Sequence, residues 1–222
     1  MPVEDNYIYE KKIWSMNYRS VMGLDEVGRG CLAGPVVAAG VMLKPGSRID
    51  DVTDSKILVK AERIRLAEII KKEALCWIIK SCSVKEIEEQ NIYWASFSAM
   101  RKCITHASIK PDYLLIDGNR FPDEEIPVTC LVKGDLYSAS IGAASILAKV
   151  YRDRLMQKLH KDFPLYGWET NVGYPTKRHY SGLDEHGPTI HHRKTFRLTS
   201  AAGPSDQEVA YRQEDQADEQ QC

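Results

Sequence analysis

Long apolar runs are missing from this chain. None of its 222 residues lie in a stretch approaching the ~18 apolar positions a membrane-spanning helix needs, so a fold surrounded by water is expected. Met1 to Tyr9 is mixed and acidic, without the basic start and apolar centre of a secretory leader, and a cytoplasmic protein is the expectation. Six cysteines (Cys31, Cys76, Cys82, Cys103, Cys130 and Cys222) include no CxxC pair and no zinc-ligand spacing, so they read as reduced thiols filling small core positions. There is no GxxxxGK[ST] phosphate loop and no GxSxG elbow, which removes P-loop nucleotide hydrolysis and the usual serine hydrolase. The glycines of Gly28-x-Gly30-x-x-x-Gly34 miss the GxGxxG spacing. They precede Pro35 and a β-branched run instead of a helix, so dinucleotide binding is excluded as well.

With 43% apolar residues, the chain can bury one full core, or one core with a helical appendage. Its net charge of −1 hides an asymmetry. From Ser200 onward there are six acids and one arginine; removing these from totals of 31 acidic and 30 basic residues leaves 25 and 29, a body near +4. Between Lys149 and Arg197 stand ten Lys/Arg, five Asp/Glu and five of the six histidines, a local basic excess that suits nucleic acid or a solvated helix face.

The apolar pattern predicts strands at Ser20–Asp25 and Val36–Leu43, joined closely enough by the Gly28–Pro35 turn for antiparallel pairing. Helical spacing follows over Lys60–Glu73, then a strand over Ala74–Cys82. Val84–Glu89 and Ile92–His106 read as helices with a break at Gln90-Asn91. Tyr113–Ile116 and Pro127–Val132 are short continuous apolar runs, as buried strands require. Ser138–His160 is the longest helix candidate, with a small-residue face at Ala139, Gly142, Ala143 and Ala144. This order predicts an α/β fold with a mixed central sheet flanked by helices. The expected division is an N-terminal extension (1–19), a catalytic domain (20–165), a small C-terminal helical cap contacting substrate (166–199) and a disordered acidic tail (200–222).

Three strand or run ends carry acids: Asp25-Glu26 before Gly28, Asp117 before Gly118, and Asp135 after Gly134. Ligand sites in α/β sheets gather at such carboxyl ends. Carboxylates converging there would suit a hard divalent cation, whose chemistry activates water toward a phosphodiester. On the residues alone each acid is also ordinary turn chemistry. Adjacent strand residues point to opposite faces, so either the chain bends at Asp25-Glu26 or the two acids contribute differently. With a glycine-arginine-glycine turn beside the acids, the chain reads as a nuclease.

Four ordered blocks resemble a known family. They are Gly23-Leu24-Asp25-Glu26-Val27-Gly28-Arg29-Gly30, Leu115-Ile116-Asp117-Gly118-Asn119, Lys133-Gly134-Asp135 through Ser140–Asp153, and Gly173-Tyr174-Pro175-Thr176-x-x-His179. Together, over about Ser20 to Phe196, they are similar to bacterial ribonuclease HII. The resemblance implies an RNase H-like fold and Mg²⁺- or Mn²⁺-dependent cleavage of RNA in RNA/DNA hybrids. It also implies cutting at single ribonucleotides embedded in duplex DNA, leaving 3′-hydroxyl and 5′-phosphate ends. Carried over by position, Asp25, Glu26, Asp117 and Asp135 would be the catalytic metal-binding acids. Gly28, Arg29 and Gly30 would contact the ribose 2′-hydroxyl and flanking phosphates, and Tyr174 the following deoxyribose.

Lys56, in Asp54-Ser55-Lys56, is a further phosphate-binding candidate. Asp153 and His179 are secondary candidates, the first as a supporting acid or a partner of Arg152, the second as an anchor of the Tyr174 loop. Lys149, Arg152 and Lys177 are candidates to line the duplex path. His191-His192 resembles a zinc pair only superficially. Cys31 stands where proline is commoner in the family. The related ribonuclease HIII carries an extra N-terminal domain, for which 19 residues are too few, and usually lacks the arginine of the turn. A non-catalytic duplex-binding module would lose one or more acids, whereas all four are present. A monomer is expected, and the sequence does not identify a protein partner.

Overall fold

The computed structural model describes residues 5–52, 55–122 and 125–199. The expected disordered tail and Asp54 lie outside the described residues. The chain folds into two compact units. The first takes the residues up to Val27, Val37–Ser81 and Phe97–Tyr151; the second takes Gly28–Val36, Cys82–Ser96 and the residues from Arg152 onward.

The first unit is built on strands β1 (Val21–Val27), β2 (Val36–Met42), β3 (Cys76–Cys82), β4 (Tyr113–Asp117) and β5 (Val128–Leu131) in the order β3-β2-β1-β4-β5. Strand β1 pairs antiparallel with β2 and parallel with β4, and β4 pairs parallel with β5. This is the expected mixed sheet. All seven residues of β2 are buried, as a continuous Val/Ala/Gly/Met run with no polar side chain requires. Helix α2 spans Lys60–Glu73, and α3 spans Val84–His106. Helix α3 breaks at Asn91, whose φ of 64° is left-handed. There the Asn91 side chain accepts the Trp94 amide at 3.2 Å, an Asn cap for the second segment.

Helix α5 (Ala139–Asp162) follows the single-turn α4 (Gly134–Tyr137). Its first turns bury Ala139, Ile141, Ala143, Ala144, Leu147 and Ala148 in the core that includes Val21, Val37, Val41 and Leu115. The small-residue face brings the helix very close to β1: a Cβ on Gly23 would lie 2.3 Å from the Ser140 carbonyl carbon.

The single turn α4 and an N-terminal helix were not expected from the sequence. Ile8–Ser15 forms helix α1, which buries Glu10 beside Ile13 and Trp14. The Glu10 carboxylate accepts the Ser140 amide at 2.9 Å and the Ser140 hydroxyl at 2.6 Å, and also takes the Ser138 hydroxyl. A carboxylate there satisfies free amides at the start of α5 and complements the helix dipole.

In the second unit, residues beyond α5 form a single 3-10 turn (Pro164–Tyr166), α6 (Trp168–Asn171) and α7 (Lys177–His186). The Thr176 hydroxyl caps α7 by accepting the His179 amide at 3.3 Å.

Because main-chain atoms stand where a Gly23 side chain would go, Gly23→Ala is expected to destabilise the protein by about 3 kcal/mol or more. Urea unfolding followed by circular dichroism checks this; a loss below about 1 kcal/mol would show that α5 can retreat from β1.

Candidate active site

Strands β1, β4 and β5 run parallel, so their carboxyl ends share one sheet edge. Leu24 pairs with Ile116, and the next residue on each strand is Asp25 or Asp117; Asp117 in turn pairs with Leu131 of β5. Four residues past β5, in the first turn of α4, comes Asp135. Asp25 and Asp135 are buried, at 7% and 5% exposure. Glu26 and Asp117 are half-buried.

The two acids of β1 do differ, as strand geometry demands. Asp25 is turned inward and its Oδ1 accepts the Glu26 amide at 2.7 Å, whereas Glu26 keeps partial access to solvent. Asp117 is fixed by the Gly134 amide, which donates to its Oδ1 at 2.7 Å. Lys133, just before it, takes a left-handed φ of 57°. Ser145 of α5 hydrogen-bonds Asp25, and its hydroxyl lies 2.9 Å from that of Ser55. The Lys56 ammonium stands 4.0 Å from Asp135 Oδ2 while its side chain remains largely in solvent.

The electrostatics show how closely the acids interact. Burial, then the charges of Asp117 and Glu26, push Asp25 well above the usual carboxylate range, with Asp135 adding to the rise. Asp117 is pushed up to about 6, first by burial and then by Asp135 and Glu26, against the lowering effects of the Gly134 amide and Lys56. Four carboxylates thus act on one another, with the exposed Lys56 offsetting part of their charge.

Among the described residues, no three His, Cys, Asp or Glu side chains already stand at metal-ligand spacing. The fit to a cation rests on the donor set. All four side chains offer hard oxygen atoms, which Mg²⁺ and Mn²⁺ prefer. Their repulsion is also what a divalent charge would relieve.

The Gly28–Pro35 turn belongs to the second unit, where two guanidiniums hold it from within. Arg193 donates to the carbonyls of Gly28 (2.6 Å), Arg29 (2.8 Å) and Gly34 (3.0 Å). Arg152 donates to Ala33 (3.0 Å), Pro35 (3.0 Å) and Val172 (2.8 Å). Both arginines are 0% exposed. This corrects the expectation that Arg152 lines the duplex path or pairs with Asp153: its donors go to main-chain carbonyls. The glycines of the turn differ in the same way. A Cβ on Gly28, at φ 98°, would strike Arg152 Nε at 2.3 Å, whereas one on Gly30 would meet nothing within 4 Å.

Tyr174 follows two left-handed residues, Val172 (φ 44°) and Gly173 (φ 91°). A β-branched residue there is strained; Val172 is kept by burial and by Arg152 on its carbonyl. The Gly173 carbonyl accepts the Leu32 amide at 2.9 Å, which ties the Tyr174 loop to the turn. Burial, and then the charge of Cys31, raise the Tyr174 hydroxyl to about 12. Asp153 adds a smaller rise there, its visible link to this region.

His179 anchors the loop through a chain whose tautomers are determined by its neighbours. Thr189 N can only donate to His192 Nδ1 (2.9 Å), so His192 carries its proton on Nε2. That proton faces His179 Nε2 at 3.1 Å, which also accepts Trp168 Nε1 at 3.1 Å. His179 Nδ1–H then donates to the Tyr174 carbonyl at 2.9 Å. Burial keeps both histidines neutral, lowering His179 and taking His192 to about 3.

Sequence reasoning missed Ser55, Ser145, Arg193 and the His192–Trp168 support. Arg152 carried a usable signal: it lies four and eight residues after the buried Ala148 and Ala144, on the inward stripe of α5. Arg193 offers no comparable pattern.

Known proteins match the chain along most of its length. The family model for ribonuclease HII matches residues 22–199. The chain is 47% identical over 194 residues to ribonuclease HII of Salinibacter ruber, covering 86% of this chain and 97% of that one. It is 51% identical over 179 residues to ribonuclease HII of Bacteroides thetaiotaomicron, covering 79% and 88%. The crystal structure of ribonuclease H2 from Pyrococcus horikoshii matches with a TM-score of 0.71 at 25% identity, over 86% of this chain and 98% of that one. A mixed sheet with acids at its parallel edge, together with these matches, makes the chain a member of the ribonuclease HII family and thus a ribonuclease H, a hydrolase of ester bonds.

Proposed function

We propose that this enzyme is an endonuclease that hydrolyses the RNA strand of RNA/DNA hybrids and cuts duplex DNA immediately 5′ of a single embedded ribonucleotide. The observation that carries this reading is the mutual crowding of Asp25, Glu26, Asp117 and Asp135 at the parallel sheet edge of a ribonuclease HII chain. These four acids would hold two Mg²⁺ or Mn²⁺ ions. When bound, such ions supply Lewis acidity at the scissile phosphate and make water nucleophilic at neutral pH. The products are a 3′-hydroxyl and a 5′-phosphate.

The protein's own groups then have separate tasks. The Gly134 amide keeps Asp117 oriented, and the Ser145 hydroxyl does the same for Asp25. Lys56 offsets Asp135 and reaches for a substrate phosphate from its exposed loop. In the turn, main-chain groups of Gly28 and Gly30 contact the 2′-hydroxyl, a donor and acceptor that marks RNA. Arg29 adds planar contact to a flanking phosphate. The Tyr174 ring, 37% exposed, lies against the deoxyribose that follows, with His179 holding its loop. Residues 166–199 act as the substrate-contacting cap, and Asp153 supports this region. The reading extends to a monomeric, cytoplasmic enzyme; among the described residues no helix is long and apolar enough to cross a membrane.

Cleavage of an end-labelled duplex with one ribonucleotide, beside all-DNA and all-RNA duplexes, tests the proposal. A cut 5′ of the ribonucleotide in Mg²⁺, absent in EDTA and in both controls, is expected; cleavage of all-DNA duplex, or a cut that persists in EDTA, would refute it. Asp117→Asn keeps the acceptor for Gly134 but removes a charge. It is expected to lower turnover by about 10³-fold, roughly 4 kcal/mol of transition-state stabilisation. In EDTA at pH 7.5 the same variant should be more stable than the parent by about 1 kcal/mol, because the repulsion that lifts Asp117 has gone. Undiminished cleavage would remove Asp117 from the mechanism. For Gly30→Ala, with open space for the methyl, stability should change by less than about 0.5 kcal/mol. Its apparent affinity for ribonucleotide-containing duplex should nevertheless fall about tenfold; wild-type affinity would clear Gly30 of substrate contact.

A further inference from the structure

Arg193 is fully buried, and its three side-chain nitrogens are all spent on carbonyls of the Gly28–Pro35 turn. Arg152 adds three more carbonyl bonds, two of them to the same turn. Buried cations are ordinarily matched by a carboxylate, since an uncompensated charge in the interior is costly. Here carbonyl dipoles take that place, and burial lowers Arg193 to about 9. Arg193 is itself anchored, its amide donating to the Leu32 carbonyl at 2.9 Å.

The peptide unit turns this packing into a directional device. In a planar trans peptide the C=O of one residue and the N–H of the next point in opposite directions. Drawing the carbonyls of Gly28 and Arg29 inward onto Arg193 sends the amides of Arg29 and Gly30 the other way. Gly30 is exposed, and open space surrounds the position its Cβ would take. Its missing side chain therefore serves no packing need, as expected where a ligand approaches the backbone closely.

We infer that Arg193 is a positioning residue for ribose recognition: its fork aims the Arg29 and Gly30 amides at the ribose 2′-hydroxyl. This rests on the reading that the turn contacts the ribonucleotide. The fork matters as well as the charge, because a lysine ammonium cannot span the Gly28, Arg29 and Gly34 carbonyls in one plane.

Binding in EDTA, followed by fluorescence anisotropy, compares a duplex holding one ribonucleotide with the same all-DNA duplex, for the parent, Arg193→Lys and Arg193→Met. In variants that melt cooperatively, the preference for the ribonucleotide should fall about tenfold, the upper end of what one neutral hydrogen bond supplies. Affinity for all-DNA duplex should change less than about threefold, and lysine should not rescue the preference. A preference retained by Arg193→Lys, or an equal loss on both duplexes, would overturn the assignment. A parent protein without any preference would instead overturn the underlying reading of the turn, and this inference with it. Hydrogen exchange on the parent provides a check independent of the variants' folding. The Arg29 and Gly30 amides should gain more protection from the ribonucleotide duplex than from all-DNA, and equal protection would contradict the inference.

Discussion

Asp25 and Asp117 sit one residue beyond a registered pair on adjacent parallel strands, so the hydrogen bonding of the sheet itself forces two carboxylates together at one edge. Glu26 and Asp135 add their charges to the same place, and burial strips away the water that would screen them. Such a group of acids must keep protons or acquire a cation. The surrounding structure serves to maintain that crowding. Gly23 admits α5 against β1, and the same helix supplies Ser145 to Asp25. The start of α5 is in turn held by Glu10 from α1. Gly134 contributes an amide to Asp117 where a side chain would have met Ile141 and Leu131. The crowding is a local loss of stability that a bound divalent charge would relieve.

The second unit solves the converse problem. Arg152 and Arg193 bring positive charge inside and balance it with main-chain carbonyls. A turn whose carbonyls face inward presents amides outward, free of any need for a dedicated polar side chain to offer donors. The Tyr174 loop uses related means. A strained Val172 is held by a buried guanidinium, and a chain of neutral histidines ends on the Tyr174 carbonyl.

Much of this was legible in the sequence where local pattern and chemistry coincide. Asp25, Asp117 and Asp135 lie near a glycine at the end of an apolar run, a local pattern that marks them as candidates, while the resemblance to a family singles them out from ordinary turn acids. The break at Asn91 and the strand ending at Asp117 are similarly local. Glu10 was not legible, because the groups that make it a helix cap lie about 130 residues away. Ser145 looks like one more small residue on a small-residue face. Arg152 resembled a surface cation because its side-chain type usually is one; the inward stripe of α5 argued otherwise. For Arg193 nothing nearby in the sequence marks burial, since its partners are carbonyl groups that every residue possesses.

Calorimetric titration of the metal-free protein with Mn²⁺ at pH 6.0, repeated in buffers of different ionisation enthalpy and again at pH 8.0, tests the carboxylate account most directly. Asp117 is pushed up to about 6, so it is partly protonated at pH 6.0, and burial and its neighbours raise Asp25 beside it; a cation entering the group must displace the proton held there. The account predicts Mn²⁺ binding with net proton release at pH 6.0 and less release at pH 8.0, both lost in Asp117→Asn. Binding without proton release, or binding unchanged by Asp117→Asn, would show that these carboxylates are not the cation's ligands.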